Sequence, residues 1–365
     1  MSRYLSARDI DWPLLLITLA ISAVGVLQVY SATMDTVFHN SWWKQILYVA
    51  GGMVMMWMLL AIDYHTLLHY VPMMYGLSVF SLLVTFLFGA SAFGSRRWIP
   101  LFGGFHLQVS EFVKLVIILL VARYLTDYVK TDELEIREMG ILSGMVVLPT
   151  ALVLKQPDLG TALTYIAVLI SCAFIAGLRW KYVAVIAVVA LLVLPVTWTY
   201  FLKDYQKARL VSFMDPDRDP QGTGYQQIQS LIAVGSGGMF GKGVTKGTQT
   251  QLRFLPVPHQ DFIFSAFAEE HGFVGVVFML SLYFVMIMRI IQNAQTAPDR
   301  VGMYICMGVA GLFLFHILVN VGMVAGIMPV TGIPLPFMSA GGSSVWSSFL
   351  ALGLVNNVRL RRFVN

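Results

Sequence analysis

The stretch PVPHQDFIFSAFAEEHG, residues 256–272, places a carboxylate at the edge of an apolar run. Asp261 lies directly before that run and two residues after His259. An apolar environment raises the pKa of a carboxylate toward neutral pH, which suits a general base. Asp before an apolar run is also a common helix cap, so both interpretations of Asp261 stay open. For His259, the sequence leaves open a ligand contact and a structural role.

Glu111 and Lys114 form a second charged group, in the stretch LQVSEFVKLV. Residues three apart share one face of a helix, so the two side chains can form an ion pair. Such a pair either neutralises two charges inside an apolar segment, or lines a water-filled cavity that receives a polar substrate. Charged residues within a membrane are functional-site candidates by default, which favours the second interpretation.

Further charges stand near the ends of other apolar runs. Asp158, in KQPDLGT, is placed to cap the following helix or to share a site with Asp261. Arg96 and Arg97, in GSRRW, suit a phosphate ligand because guanidinium groups match phosphate oxygens. A solvated loop or an interfacial anchor would explain this Arg pair equally well. Arg209 is either a phosphate ligand or a simple loop charge.

The composition decides what kind of protein positions these groups. Of 365 residues, 58% are hydrophobic and only 12% are charged, whereas about a quarter of an ordinary domain is charged. This composition excludes a soluble protein and predicts an all-α polytopic membrane protein. Cys172 and Cys306 both lie in apolar segments and suggest neither a metal site nor a disulfide. The sequence shows no basic and aromatic surface for nucleic acid, and we expect no organic cofactor.

Ten apolar runs are close to the roughly 20 residues that cross a bilayer as a helix. An even number of spans places both termini on one side. Inner positions would then hold eleven Lys or Arg residues and the short outer loops four, so both termini are predicted to be cytoplasmic. The runs are 13–33, 45–62, 67–89, 109–126, 139–155, 160–178, 182–202, 262–288, 301–327 and 342–358.

A large extracytoplasmic loop, residues 203–261, is predicted between helices 7 and 8, within a single membrane domain that covers 1–365. Loops of this length are usually functional or disordered. Apolar residues at helical spacing, from Tyr225 to Ile232, predict a short helix in this loop. The glycine-rich segment GSGGMFGKGVTKG follows and could bring backbone amides close to a ligand.

Several motifs in their order resemble the SEDS family of shape, elongation, division and sporulation proteins. They are RRW, LQVSEFVKL, KQPDLGTAL, GTQTQLRFLPVPHQDFIFSAFAEEHG and NVGMVAGIMPVTGIPLPFMSAGGSS. The resemblance covers nearly the whole chain. A short N-terminal tail and GTQTQL before FLP are more similar to the elongation branch than to the division branch. Two motifs depart from the family pattern: QVSE replaces Q-P-S-E, and VPHQD replaces a Glu-x-His-Thr-Asp sequence.

The resemblance implies a peptidoglycan glycosyltransferase that polymerises lipid II for cell elongation and rod shape. Its active site would face outward from the bacterial cytoplasmic (inner) membrane. The essential Asp of the family falls on Asp261, and further family positions fall on Glu111, Lys114, Arg97 and Asp158. The expected partners are a class B penicillin-binding protein, which is a transpeptidase, and the elongation machinery.

An α-linked donor and a β-1,4 product imply inversion in one displacement, with Asp261 as the candidate base. Undecaprenyl diphosphate leaves, and Lys114, Arg97 and Arg209 are candidates to bind it, with a Mg or Mn ion as a further candidate. The alternatives are a lipid II flippase, a division-type polymerase and a passive scaffold for the transpeptidase. A flippase should also have a polar path on the inner side, whereas Asp261, Asp158 and Arg97 all belong to the outer side.

Overall fold

The computed structural model describes residues 9–92, 95–100, 106–129, 133–196, 199, 204–222 and 224–363. Within these ranges, fourteen α-helices form a bundle around one hydrophobic core. The helices are α1 Trp12–Thr33, α2 Ser41–Leu60, α3 Tyr64–His69, α4 Val71–Phe88, α5 Val109–Tyr128, α6 Ile136–Lys155, α7 Leu159–Ile175, α8 Trp180–Val196, α9 Asp204–Met214, α10 Tyr225–Ser236, α11 Thr248–Gln251, α12 Ile263–Gln295, α13 Arg300–Val324 and α14 Gly342–Leu360.

Each of the ten predicted spans overlaps a long helix, namely α1, α2, α4 to α8 and α12 to α14. Among the described residues, six helices are long and apolar enough to cross a membrane: α1, α2, α4, α6, α12 and α13. Helix α7 is apolar but shorter. The all-α polytopic membrane fold is therefore confirmed, while ten membrane crossings remain a prediction.

Charged residues near both chain ends meet in one cluster. The carboxylate of Asp11, just before α1, is fully buried and pairs with Arg289 of α12 at 2.7 Å and with Arg359 of α14 at 3.2 Å. Asn293 donates a further hydrogen bond to Asp11 at 2.7 Å. The start of α1 and the end of α14 thus lie at the same end of the bundle, as an even number of spans requires. We call this the inner end; that it faces the cytoplasm remains a prediction.

A small antiparallel sheet joins α4 to α5 at the opposite, outer end. Its strands are β1 Ala90–Ala92, β2 Ser95–Pro100 and β3 His106–Gln108, in the order β1-β2-β3. Arg97 lies on the central strand β2, so the predicted loop around it is in fact a strand. Strands of three to six residues carry too little alternation to be recognised in sequence. The sheet holds Arg97 on a fixed frame.

Within the predicted loop, the expected helix is confirmed as α10, whereas α9 and α11 were not predicted. Helix α12 breaks at Gly272, which has φ 66° and ψ −167°. A Cβ added at Gly272 would lie 2.3 Å from the backbone nitrogen of Gly241. The break thus lets the glycine-rich segment pack directly on α12.

Replacing Gly272 by Ala is expected to lower the free energy of unfolding by more than about 1 kcal/mol, because it combines a left-handed φ with a backbone collision. The measurement is thermal unfolding of the purified protein in detergent. Gly144→Ala in α6 is the matched control, since its added Cβ would meet no described atom within 4 Å apart from its chain neighbours and the backbone of its own helix. Equal unfolding temperatures for the two variants would contradict the prediction.

Candidate active site

Asp158 is the N-cap residue of α7, and its carboxylate also contacts polar side chains at the outer end of the bundle. One oxygen, Oδ1, accepts a hydrogen bond from the Thr161 amide at 3.2 Å, which is helix capping. Oδ2 accepts bonds from the Thr161 hydroxyl and from the Gln108 amide, both at 2.9 Å. Arg97 Nη1 lies 3.4 Å from Oδ1. The predicted cap is confirmed, and the same buried carboxylate holds the Arg97 guanidinium.

The capping interpretation of Asp261, which the sequence left open, is contradicted by the structure. Helix α12 begins at Ile263, its N-cap position is Phe262, and no side-chain cap is formed. In the described part of the chain, no group donates a hydrogen bond to the Asp261 carboxylate. The extra residue between Asp261 and the helix removes the carboxylate from the first-turn amides. Asp261 is therefore free of the capping role that Asp158 performs.

The Asp261 carboxylate lies within electrostatic range of three charged residues at the outer end. Burial raises the pKa of Asp261; the positive charges of Arg97 and Arg209 oppose this, and the negative charge of Asp158 adds to it. The net direction is upward. The structure thus brings together four residues from different elements: Arg97 on β2, Asp158 before α7, Arg209 on α9 and Asp261 before α12.

The main chain around Asp261 is held by α13 and by the segment that follows it. Asn320 Nδ2 donates hydrogen bonds to the carbonyl oxygens of Asp261 at 3.0 Å and of Ile333 at 2.8 Å. The Ser339 hydroxyl donates to the Gln260 carbonyl at 2.8 Å. These bonds position the Asp261 backbone without using its carboxylate.

His259 lies beside this site with its imidazole packed on Phe38, the ring centroids 5.2 Å apart. Its carbonyl accepts a hydrogen bond from Ala340 N at 2.9 Å. Burial lowers the pKa of His259 to about 4, so the ring is neutral at physiological pH. These contacts of His259 with Phe38 and Ala340 are structural, and a contact between His259 and the substrate remains a prediction.

Glu111 and Lys114 form the predicted ion pair at 2.5 Å. Ser347 of α14 donates a further hydrogen bond to Glu111 at 3.2 Å. Both residues are enclosed, with 3% and 2% of their surface exposed. The pair lies inside the bundle rather than on the wall of an open cavity, which supports the neutralising interpretation.

The glycine-rich segment is held by two carboxylates of α12. Glu269 accepts hydrogen bonds from Lys242 Nζ and Gln249 N, both at 2.8 Å, and from Thr250 N at 3.1 Å. Glu270 accepts a bond from Thr245 N at 3.2 Å. Of the amides within the segment itself, that of Thr245 bonds Glu270 in this way, and those of Lys242 and Gly243 donate to the carbonyl oxygens of Glu269 and Glu270. These three amides are engaged within the protein, so they are not the ligand-binding amides that the sequence suggested.

Three buried polar atoms near Asp261 have no hydrogen-bond partner among the described residues: Arg97 Nε, Asn320 Oδ1 and Thr331 Oγ1. Thr331 precedes Gly332, where an added Cβ would lie 3.4 Å from Asp261 Oδ2. Unsatisfied buried groups are uncommon and mark sites where water, ligand or function compensates. Sequence reasoning missed Asn320 and Thr331, although an Asn within the ninth apolar run was a usable signal.

Comparison with known proteins identifies the family. The family model for cell cycle proteins of the FtsW, RodA and SpoVE type matches residues 11–362. The peptidoglycan glycosyltransferase MrdB of Escherichia coli K12 is 36% identical over 353 residues, covering 97% of this chain and 94% of the relative. RodA of Treponema pallidum is 33% identical, covering 97% and 98% of the two chains.

Solved structures agree. A chain from a peptidoglycan synthase complex superposes with a TM-score of 0.83 at 30% identity, over 98% of this chain and 99% of that one. RodA of Thermus thermophilus gives 0.72 at 28% identity, over 98% of both chains. The chain therefore belongs to the FtsW, RodA and SpoVE family, which is the SEDS family indicated by its motifs, and is a RodA-like member of it.

Proposed function

We propose that this chain is a peptidoglycan glycosyltransferase that polymerises lipid II into β-1,4 glycan strands during cell elongation. The observation that carries this proposal is the Asp261 carboxylate, which has a raised pKa and no hydrogen-bond donor among the described residues. The positive charges of two guanidinium groups, Arg97 and Arg209, act on this carboxylate. A general base and a cationic site for a leaving diphosphate are the two parts that this transfer needs.

The reaction is one inverting displacement. Asp261 accepts the proton of the C4 hydroxyl of the acceptor N-acetylglucosamine while that oxygen attacks C1 of the donor N-acetylmuramic acid. The new C1–O bond forms as the bond from C1 to the diphosphate oxygen breaks, and undecaprenyl diphosphate leaves with its electron pair. Arg97 and Arg209 stabilise the charge that develops on the diphosphate.

Lys114 is not assigned to the diphosphate in this mechanism. Its ammonium group is 2% exposed and already pairs with Glu111. Arg97 is the better-placed cation, since 27% of its side chain is exposed and its guanidinium is held by Asp158. Asp158 thus orients Arg97 for the substrate.

A Mg²⁺ or Mn²⁺ ion remains part of the proposal only as a companion of the substrate. Among the described residues, no group of three or more His, Cys, Asp or Glu could hold a metal ion. Magnesium commonly binds through one or two carboxylates together with substrate phosphates. We expect Mg²⁺ to show no binding to the lipid-free protein by calorimetry, and chelation to lower the turnover of lipid II; tight binding without lipid would contradict this.

The proposed location is the bacterial inner membrane, with Asp261 on the extracytoplasmic face. The supporting observation is that Asp11 and the basic residues Arg289 and Arg359 lie at the inner end, opposite the site of Asp158 and Asp261. The proposed partner is a class B penicillin-binding protein, because the chain resembles part of a peptidoglycan synthase complex.

The deciding experiment is polymerisation of labelled lipid II by the purified protein, with and without its partner transpeptidase. We expect glycan strands whose synthesis depends on Asp261. The same protein in lipid II-containing vesicles tests the alternative flippase. Transbilayer movement without any polymer, with the partner present, would replace the proposed function by transport.

A further inference from the structure

Asn320 lies in the middle of the outer half of α13, where a polar side chain is costly to bury. Its residue surface is 0% exposed. Its amide nitrogen uses both hydrogens, on Asp261 O and on Ile333 O. The amide oxygen has no hydrogen-bond partner among the described residues. An unsatisfied buried acceptor is unfavourable. Stability alone therefore does not explain why a buried Asn occupies this position.

The two donated bonds join the parts of the active site. One holds the main chain that carries Asp261, and the other holds Ile333 next to Gly332. A Cβ added at Gly332 would lie 3.4 Å from Asp261 Oδ2, so this segment forms the wall beside the carboxylate. A Cβ added at Gly160 would lie 2.5 Å from Ile333 Cγ1, so the same segment packs on the start of α7. The Asn320 amide thereby links Asp261, through Ile333, to the start of α7.

A second buried Asn provides a comparison at the inner end. Asn357 of α14 is also 0% exposed, and its Nδ2 also donates to two carbonyl oxygens, of Leu59 at 2.8 Å and Ile62 at 2.6 Å. Its oxygen, in contrast, is satisfied by Tyr64 N at 3.1 Å and by Arg361 Nη1 at 2.6 Å. Asn357 is a fully satisfied structural clamp, whereas Asn320 keeps an unsatisfied acceptor in order to hold the Asp261 backbone.

We propose that Asn320 is a positioning residue for glycosyl transfer: its amide fixes the Asp261 backbone, so that the carboxylate stays in reach of the acceptor hydroxyl. This inference rests on the proposed function. No described group donates a hydrogen bond to the Asp261 carboxylate, so its position depends on the backbone that Asn320 holds. A displacement of about 1 Å in a catalytic group can cost about 100-fold in rate.

The test compares Asn320→Ala, Asn320→Ser and the control Asn357→Ala, each purified in detergent with the partner transpeptidase. Thermal unfolding gives the folded fraction, and labelled lipid II gives kcat and KM per folded molecule. We expect Asn320→Ala to lower kcat by about 10- to 100-fold with KM changed less than about twofold. Asn320→Ser, whose hydroxyl can still donate one bond, should give an intermediate kcat and remains usable if the Ala variant does not fold. Asn357→Ala should lower the unfolding temperature and leave kcat unchanged.

Three results would overturn the positioning role. The first is an unchanged kcat per folded Asn320→Ala molecule. The second is a rise in KM alone, which would indicate direct substrate binding. The third is an equal loss of kcat in Asn357→Ala, which would make the effect one of general stability. Failure of the wild-type protein to polymerise lipid II would instead contradict the proposed function, so the two inferences fail separately.

Discussion

Asp261→Asn is expected to lower lipid II polymerisation by at least about 100-fold while the protein still folds and inserts. An amide cannot accept the proton of the acceptor hydroxyl, and general-base catalysis contributes about 10²- to 10⁴-fold. The substitution preserves shape. It also breaks no hydrogen bond to the side chain, because no described group donates one to the carboxylate. The measurement is glycan strand formation from labelled lipid II by the purified variant with its partner.

The stability of the Asp261→Asn variant should stay equal or rise, although its activity falls. Burial raises the pKa of Asp261 in the folded protein. A group with a raised folded pKa contributes stability below its unfolded pKa and loses that contribution as pH rises through the folded pKa. At neutral pH the ionised carboxylate therefore costs stability, which the neutral amide removes. Asp261→Asn should unfold at an equal or higher temperature than the wild type.

The pH dependence follows from the same shift. The base must be ionised, so kcat/KM should fall as pH decreases through the pKa of Asp261. Because that pKa is raised, the fall should be centred above the value of about 3.9 that is usual for Asp.

The control for Asp261→Asn is Asp217→Asn, which removes an exposed carboxylate of the same outer segment and should keep wild-type turnover. Substantial polymerisation by Asp261→Asn would exclude Asp261 as the base.

The sequence predicted the outer-site residues better than their local roles. Hydropathy and charge bias placed Asp261, Asp158 and Arg97 on one side, and the structure brings them together. Capping was equally open for both aspartates, because a helix start in sequence is uncertain by one or two residues. Asp158 is an N-cap residue, whereas Asp261 stands one residue before the N-cap residue Phe262. A difference of one residue is within that uncertainty.

Local sequence patterns do not predict packing between backbone segments that are distant in the chain. Asn320 contacts Asp261 across 59 positions, and no local periodicity reports such a contact. The break at Gly272 likewise depends on Gly241 in a distant segment. A glycine inside a helical pattern is tolerated, so Gly272 alone does not predict a kink. Tertiary contacts of this kind set the geometry of the site.

Replacing Lys114 alone with Met is expected to lower the free energy of unfolding by about 3–5 kcal/mol, because it leaves the buried Glu111 carboxylate without its cation. Among the described residues, Ser347 alone would still donate to that carboxylate, at 3.2 Å. The double variant Glu111→Gln/Lys114→Met removes both charges and should recover most of this loss, since a buried ion pair often contributes little compared with neutral groups of similar volume. Thermal and chemical unfolding in detergent measure both effects.

The stable double variant then decides what the pair does. Since Lys114 is 2% exposed and already paired, we expect the double variant to polymerise lipid II within a few fold of wild type once corrected for the folded fraction. A pair that only neutralises its own charges can be replaced as a unit. If the double variant is stable and correctly inserted but inactive, the ammonium group reaches the substrate in a conformation more open than this one, and Lys114 joins Arg97 as a ligand of the diphosphate.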